Sequence, residues 1–300
     1  MAVGLSSSNN GFDLLRQTKA IRAMEGGSGY FMGTMARPVT GPSGVATLGG
    51  WNLFSLLPGP TAHELGHSFN LRHAPCGGAG SPDPAYPYSG AQIGAWGYDP
   101  LGGVVPPTTT DIMSYCGGWI SDYHYANALR HRLIKEGAPA AAPATALMLW
   151  GGIDADGAPF LEPAFVVDAP PTLPDSAGSH RLTGRTGSGA ELFSFSFAMP
   201  EVADGDGSSG FAFAFPGRSG WEALASVTLS GPGGSVTLDG DSDRPIAILR
   251  DPRNGQVRAI LRDVPDPARA QADAASALGT GPGLEVLFSR GIPSRAAWRP

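Results

Sequence analysis

Three histidines and a glutamate stand close enough in the sequence to act together. The segment 63–73 reads His63-Glu64-Leu65-Gly66-His67-Ser68-Phe69-Asn70-Leu71-Arg72-His73. Imidazoles four residues apart on a helix lie one turn apart on one face, so His63 and His67 can reach a single metal ion. Glu64, about 100° round the helix from His63, stands beside such an ion rather than on it, where a carboxylate can take a proton from water. A third ligand is still needed. His73 follows six residues after His67, and a continuing helix would carry it roughly 240° away. The chain must therefore leave the helix before it arrives. Asn70 is placed to do this, because Asn, after Gly, most readily accepts the left-handed conformation that ends a helix. Three neutral imidazoles leave room for water, which is the arrangement of a catalytic and not a structural zinc site. The plain alternative is a set of histidines exposed on a helix.

The elements that must hold these residues can be read from period and punctuation. Residues 12–24 place Leu14, Leu15, Ala20, Ile21 and Met24 on a helical stripe closed by Glu25-Gly26-Gly27. Short apolar runs at 30–35 and 45–48, bounded by Gly, Pro and Ser, predict two strands. After Pro58-Gly59-Pro60, Thr61 is the expected N-cap of a helix running to about Asn70. Ser121 followed by Asp122 opens another, with Tyr125, Leu129 and Leu133 at four-residue spacing and Arg130, Arg132 and Lys135 in its last turns. The Pro- and Ala-rich stretch that follows cannot continue a helix and reads as a linker. Beyond it, runs at 146–150, 160–167, 192–197, 211–215, 224–229, 246–249 and 257–264 alternate with Gly, Asp and Pro turns. That is the rhythm of an antiparallel sandwich or barrel.

The expected fold class is α+β: a catalytic domain with a short mixed sheet and two or three helices, followed by an all-β sandwich-like domain. The expected boundaries are 1–137 for the catalytic domain, 138–144 for the linker, 145–267 for the sandwich and 268–300 for a tail with room for one added strand. A chain of 300 residues, 42 % apolar and 15 % charged, has enough core for two domains. Its net charge of -6, with 20 scattered basic residues and only Lys19 and Lys135 as lysines, gives phosphates no continuous cationic surface. Nucleic acid is excluded as an expected partner. No apolar run reaches the roughly 18 residues that cross a bilayer, and the first residues lack the build of a signal peptide.

The segment 63–73 resembles the zinc-binding motif of the metzincins, zinc endopeptidases marked by HExxHxxGxxH and a later turn containing methionine. His63, His67 and His73 match the ligands and Glu64 the general base, while Asn70 stands where the clan has Gly. Asp111-Ile112-Met113-Ser114-Tyr115-Cys116 is similar to the Met-turn, which makes Met113 the apolar floor beneath the imidazoles. The resemblance covers roughly residues 12–136. It implies one Zn2+ per chain, a protein or peptide substrate, and hydrolysis by a zinc-activated water with Glu64 as base. It also implies that Tyr115 steadies the oxyanion, although an ordinary core or surface tyrosine accounts for it equally. The aromatic loop with Tyr86, Tyr88, Trp96 and Tyr98 would form the lower wall of the cleft or simply pack a subdomain poor in helices. Core packing is the default for Trp119, Tyr123 and Tyr125. Residues 45–48 would be the edge strand against which a peptide pairs.

If His73 and Met113 meet as the resemblance implies, Cys76 and Cys116, each three residues further on, leave from one place. They then fall within the roughly 4.4–6.8 Å Cα separation of a disulfide. A Cys76–Cys116 bond is expected, with two free buried thiols as the alternative; it points to an extracellular, cell-surface or periplasmic location. With 62 residues before His63, at least one leading strand of the clan is missing, which a fragment or a late start would explain. Three acidic pairs, Asp154/Asp156, Asp204/Asp206 and Asp239/Asp241, offer weak Ca2+ candidates or ordinary turns. His124, His131 and His180 have no partner at ligand spacing and read as structural. A truncated or inactive zinc-binding homologue, or an adhesion or carbohydrate-binding sandwich, are the competing functions; bond preference and oligomeric state are not encoded in any motif.

Overall fold

Asn10 opens the first long element. Its side chain accepts from the Phe12 N–H at 2.9 Å and caps helix α1, Gly11–Glu25, which closes at Gly26 with φ 68. The computed structural model describes residues 5–6, 8–35, 38–57, 59–137, 141–278 and 283–298. Among these the fold is α+β, mostly strand, with α1 joined by α2 (Thr61–Ser68), α3 (Asp122–Lys135) and α4 (Pro267–Leu278). None of these helices is long and apolar enough to cross a membrane. Residues 138–140 of the expected linker lie outside the described residues. The chain forms two compact units that do not follow chain order.

One unit comprises Ser28–Pro139 and the short stretch Glu201–Gly205. Its sheet runs in the order Val202–Ala203, Gly44–Thr47, Asn52–Ser55, Phe31–Gly33. The first two pairings are antiparallel and the last is parallel. All four residues of Gly44–Thr47 and of Asn52–Ser55 are buried, as expected of strands covered on both faces. α2 packs on this pair of strands. Its N-cap position is Pro60, not Thr61; Thr61 Oγ1 is instead 3.0 Å from Ser55 Oγ, which ties the helix start to the sheet. α3 is capped as read, the Ser121 side chain accepting from the His124 N–H at 3.1 Å. Its expected apolar stripe is not core: Tyr125, Leu129 and Leu133 are exposed, and His124 and Ala128 face inward.

The other unit comprises Met1–Gly27, Ala140–Pro200 and Asp206–Pro300. It is mixed rather than purely β, because α1 and α4 belong to it. The strands Ala144–Ile153 and Ser209–Pro216 are buried on both faces and divide their side chains by parity. Leu147, Leu149, Phe211, Phe213 and Phe215 join Leu182, Phe193, Phe197 and Leu229 of a second sheet in one core. On the opposite face Ala146, Met148, Trp150, Ala212 and Ala214 pack with Ala20, Ala23 and Met24 of α1. Small residues on one face admit the helix; phenylalanines on the other fill the space between sheets. The expected run 160–167 is two strands, Pro159–Leu161 and Phe165–Ala169. The tail carries the expected strand, Glu285–Ser289, after the unexpected α4.

Candidate metal centre

α2 is only two turns long, which suffices to place His63 and His67 on one side with ring centroids 4.7 Å apart. After Ser68 the chain leaves the helix. Phe69 and Asn70 close the last turn, and Asn70 takes the left-handed φ of 66 that its side chain type allows. The reversal returns His73, whose Nε2 lies 3.3 Å from His63 Nε2; His67 Nε2 lies 3.0 Å from the same atom. Each ring is fixed from behind. His63 Nδ1 meets Ile112 O at 2.8 Å, His67 Nδ1 meets Leu71 O at 2.7 Å, and His73 Nδ1 meets Gly80 O. With Nδ1–H donating to a carbonyl, a neutral ring presents a lone pair at Nε2.

A fourth group, which the histidine spacing does not reveal, completes the cluster. Asp204 Oδ2 lies 3.2 Å from His67 Nε2 and 3.3 Å from His63 Nε2, and Oδ1 lies 3.1 Å from His73 Nε2. The side chain belongs to the same compact unit as the histidines. Three lone pairs and a carboxylate facing one point have no proton among them to share, so the set is one that a cation explains. Bonds of about 2.0–2.1 Å at tetrahedral angles separate ligand atoms by roughly 3.3 Å, close to the separations found here. Without a cation these separations can be bridged only by imidazole rings that carry a proton on Nε2, and such donors, with the Tyr115 hydroxyl, hold the Asp204 carboxyl far below the usual range although burial opposes its charge. Among the described residues this is the one acidic and histidine cluster with metal-binding geometry. His124, His131 and His180 are not part of it.

Glu64 lies beside the cluster, 2 % exposed, with Oε2 lacking a hydrogen-bond partner among the described residues. Burial, and after it the Asp204 charge, push its carboxyl up to about 9. A Cβ at Gly44 would overlap Glu64 Oε1, so glycine there lets the carboxyl lie against the strand. His63, Glu64, Tyr115, Asp204, Ser43 and Gly44 are among the residues lining a cleft of about 560 Å3.

Met113 is wholly buried, and its carbonyl accepts from the Ala74 N–H at 3.0 Å. It packs with Leu71 and Ala128, and a Cβ at Gly66 would overlap its Sδ, so the turn 111–116 sits directly under α2. Tyr115 is half exposed; its hydroxyl donates to Asp204 Oδ1, and its ring centroid is 5.2 Å from that of His73. The disulfide Cys76–Cys116 is present, with Cα atoms 5.8 Å apart. Tyr115 N–H donates to Cys76 O at 3.2 Å beside it.

The aromatic loop does not line the cleft. Tyr86 donates to Asp111 and Tyr88 to Asp122, while Trp96 and Tyr98 are exposed. The acidic loops outside the cluster make their own turns: Asp154 Oδ1 accepts from the Asp156 and Ala158 N–H groups, and Asp239 Oδ1 from that of Asp241.

Sequence comparison adds one match. Residues 26–109 match the sequence model of the family Peptidase M66, a span that holds Glu64 and the three clustered histidines and ends before Met113. No curated protein and no solved structure matches the chain. The match covers less than a third of the chain, and with the His63, His67, His73 and Asp204 cluster it supports a metallopeptidase.

Proposed function

We propose that the chain is a zinc-dependent endopeptidase of metzincin type that hydrolyses peptide bonds. The observation that carries this reading is the convergence of three Nε2 atoms, each on a ring whose Nδ1 is engaged by a backbone carbonyl, beside the buried Glu64 carboxyl, whose Oε2 has no hydrogen-bond partner among the described residues. His63, His67 and His73 would hold the ion, and imidazole donors at a tetrahedral spacing suit zinc. When bound, such an ion acts as a Lewis acid that polarises a carbonyl and brings water deprotonation toward neutral pH.

Glu64 is the general base in this reading. A dry carboxyl pushed up to about 9 holds a proton readily between two steps, and a nearby cation draws that value back toward the neutral range. Glu64 thus takes a proton from water and passes it to the leaving amine. The Tyr115 hydroxyl points at the same corner as the ligands and would donate to the developing oxyanion. Met113, buried under α2, would be the floor of a Met-turn that keeps His63 and His73 in register through Ile112 O and Ala74 N. Gly44–Thr47 is the strand beside which an extended peptide would pair. The disulfide supports an extracellular, cell-surface or periplasmic site of action.

The test is metal content together with cleavage of unfolded casein. The parent chain is expected to carry about one zinc and to cleave in a chelator-sensitive way. Glu64→Ala keeps the zinc and loses cleavage at least 100-fold, in line with loss of a general base; His67→Ala loses both. Cleavage that survives in Glu64→Ala, or protein without zinc, would overturn the assignment.

A further inference from the structure

The strand expected to receive a substrate is already paired, and its partner comes from the same chain. Val202 faces Thr47 and Ala203 faces Ala46 in antiparallel register, and the Leu48 N–H donates to Glu201 O at 2.9 Å. Arg72 grips the Glu201 carboxylate with both terminal nitrogens, at 2.9 and 2.8 Å. Asp204 follows directly, turns at φ 57, and delivers its carboxylate to the three imidazoles. The free edge of a strand can pair with one partner at a time, and a tetrahedral ion held by three imidazoles has one position left. Glu201–Gly205 fills both.

Resting on the metallopeptidase reading above, we propose that Glu201–Gly205 is an internal pseudo-substrate: it lies in the substrate lane, with Asp204 as the fourth ligand of the metal, and limits cleavage by the parent chain to the fraction of molecules in which it is displaced. The side chain chemistry makes it a plug rather than a substrate. A peptide would offer the ion a neutral carbonyl, whereas Asp204 offers an anionic oxygen, the harder and stronger donor, and draws the Tyr115 hydroxyl to itself. Withdrawal is topologically simple. The histidines, Glu64, Met113 and both cysteines belong to the stretch Ser28–Pro139, so removing Glu201–Gly205 interrupts none of the backbone that holds them.

Access to the metal tests this without relying on turnover. The full chain, Asp204→Ala and Arg72→Ala are loaded with Co2+, and the visible absorption of the ion is followed as acetohydroxamate, a small metal-binding anion, is added. All three are expected to take up about one ion. Half-saturation should fall at least tenfold in Asp204→Ala and by a smaller factor in Arg72→Ala, where every ligand is still present. Casein cleavage by the zinc forms should rise in the same order. Equal half-saturation in all three forms overturns the pseudo-substrate while leaving the peptidase intact, provided Glu64→Ala still abolishes cleavage. An Asp204→Ala chain that takes up no metal while the parent does also overturns it, since Asp204 would then be a ligand the working site requires. Failure of every form to bind metal removes the metallopeptidase reading and this inference together.

Discussion

Asp111 ties together three segments that surround the cluster. It is fully buried, and its Oδ1 accepts from the Met113 N–H at 2.7 Å and faces His124 Nδ1 at 3.0 Å. Its Oδ2 accepts from the Ser121 N–H at 2.8 Å and from the Tyr86 hydroxyl at 3.2 Å. One carboxylate thus joins the turn 111–116, the start of α3 and the aromatic loop. Burial alone would raise its pKa, but these donors, His124 foremost, hold it below the ordinary carboxylate range. Asp111→Ala leaves His124 and two backbone N–H groups buried without their acceptor. It is expected to lower stability by about 3 kcal/mol and to weaken metal binding, measured by urea unfolding and by competition with a chromophoric chelator. Asp111→Asn, which keeps one acceptor oxygen, should lose less. At this scale the sequence is legible where chemistry depends on local spacing: His63, His67 and the turn at Asn70 follow from helix geometry. Asp204 does not, because it lies 137 residues beyond His67 in an acidic, glycine-rich stretch whose composition equally describes a turn. Only tertiary pairing brings it to the histidines.

At the scale of elements, helices with caps and a clear stripe are the readable ones, and those stabilised by packing alone are not. α1 announces its apolar stripe and its close at Gly26, and α3 its cap at Ser121, whereas the Asn10 cap shows only in the structure and α4 is an alanine-rich segment whose burial rests on Ala270 and Ala274 against Ala247, Leu249 and Leu261. The strands His180–Thr186 and Gly234–Leu238 give no strand signal in the sequence, because both turn polar side chains outward and carry too few apolar residues to mark a core face. α1 also holds a testable charge. Lys19 is buried, its Nζ donates to Gly210 O at 2.7 Å, and burial, assisted by the Arg16 charge, lowers its pKa to about 7. An unfolded lysine titrates near 10.4. Between these values the unfolded chain binds more protons than the folded one, so Lys19 makes stability rise with pH from about 7 to about 10.4, by at most about 1.4 kcal/mol per unit. Below pH 7 both states are protonated and the full cost of burying the charge remains. Lys19→Met is expected to be more stable than the parent at pH 7 and to lose that advantage by pH 10, as read from urea midpoints at the two pH values. A parent and variant that change in parallel would mean Lys19 titrates normally.

At the scale of the whole molecule, the division into two units separates the parts that metal can stabilise from the parts it cannot. All four members of the cluster belong to Ser28–Pro139 with Glu201–Gly205. The phenylalanine core of Phe193, Phe197, Phe211, Phe213 and Phe215 belongs to the other unit. A ligand that binds the folded state alone stabilises it by RT ln(1 + [L]/Kd), about 4 kcal/mol at a thousandfold excess over Kd. That increment applies to the unit that contains the site. Calorimetry is therefore expected to resolve two transitions, of which a chelator lowers one and leaves the other in place. Phe213→Ala gives the reciprocal result: truncating a phenylalanine in a packed core costs about 3–5 kcal/mol, and here it should lower the transition that the chelator leaves alone. The disulfide adds a third handle on the same division. Cys76 and Cys116 close a loop with sequence separation 40, worth about 4 kcal/mol in the chain-entropy account, so reduction should move the chelator-sensitive transition and not its neighbour. A single transition shifted by all three treatments would show that the two units melt as one, and the metal would then stabilise the entire chain.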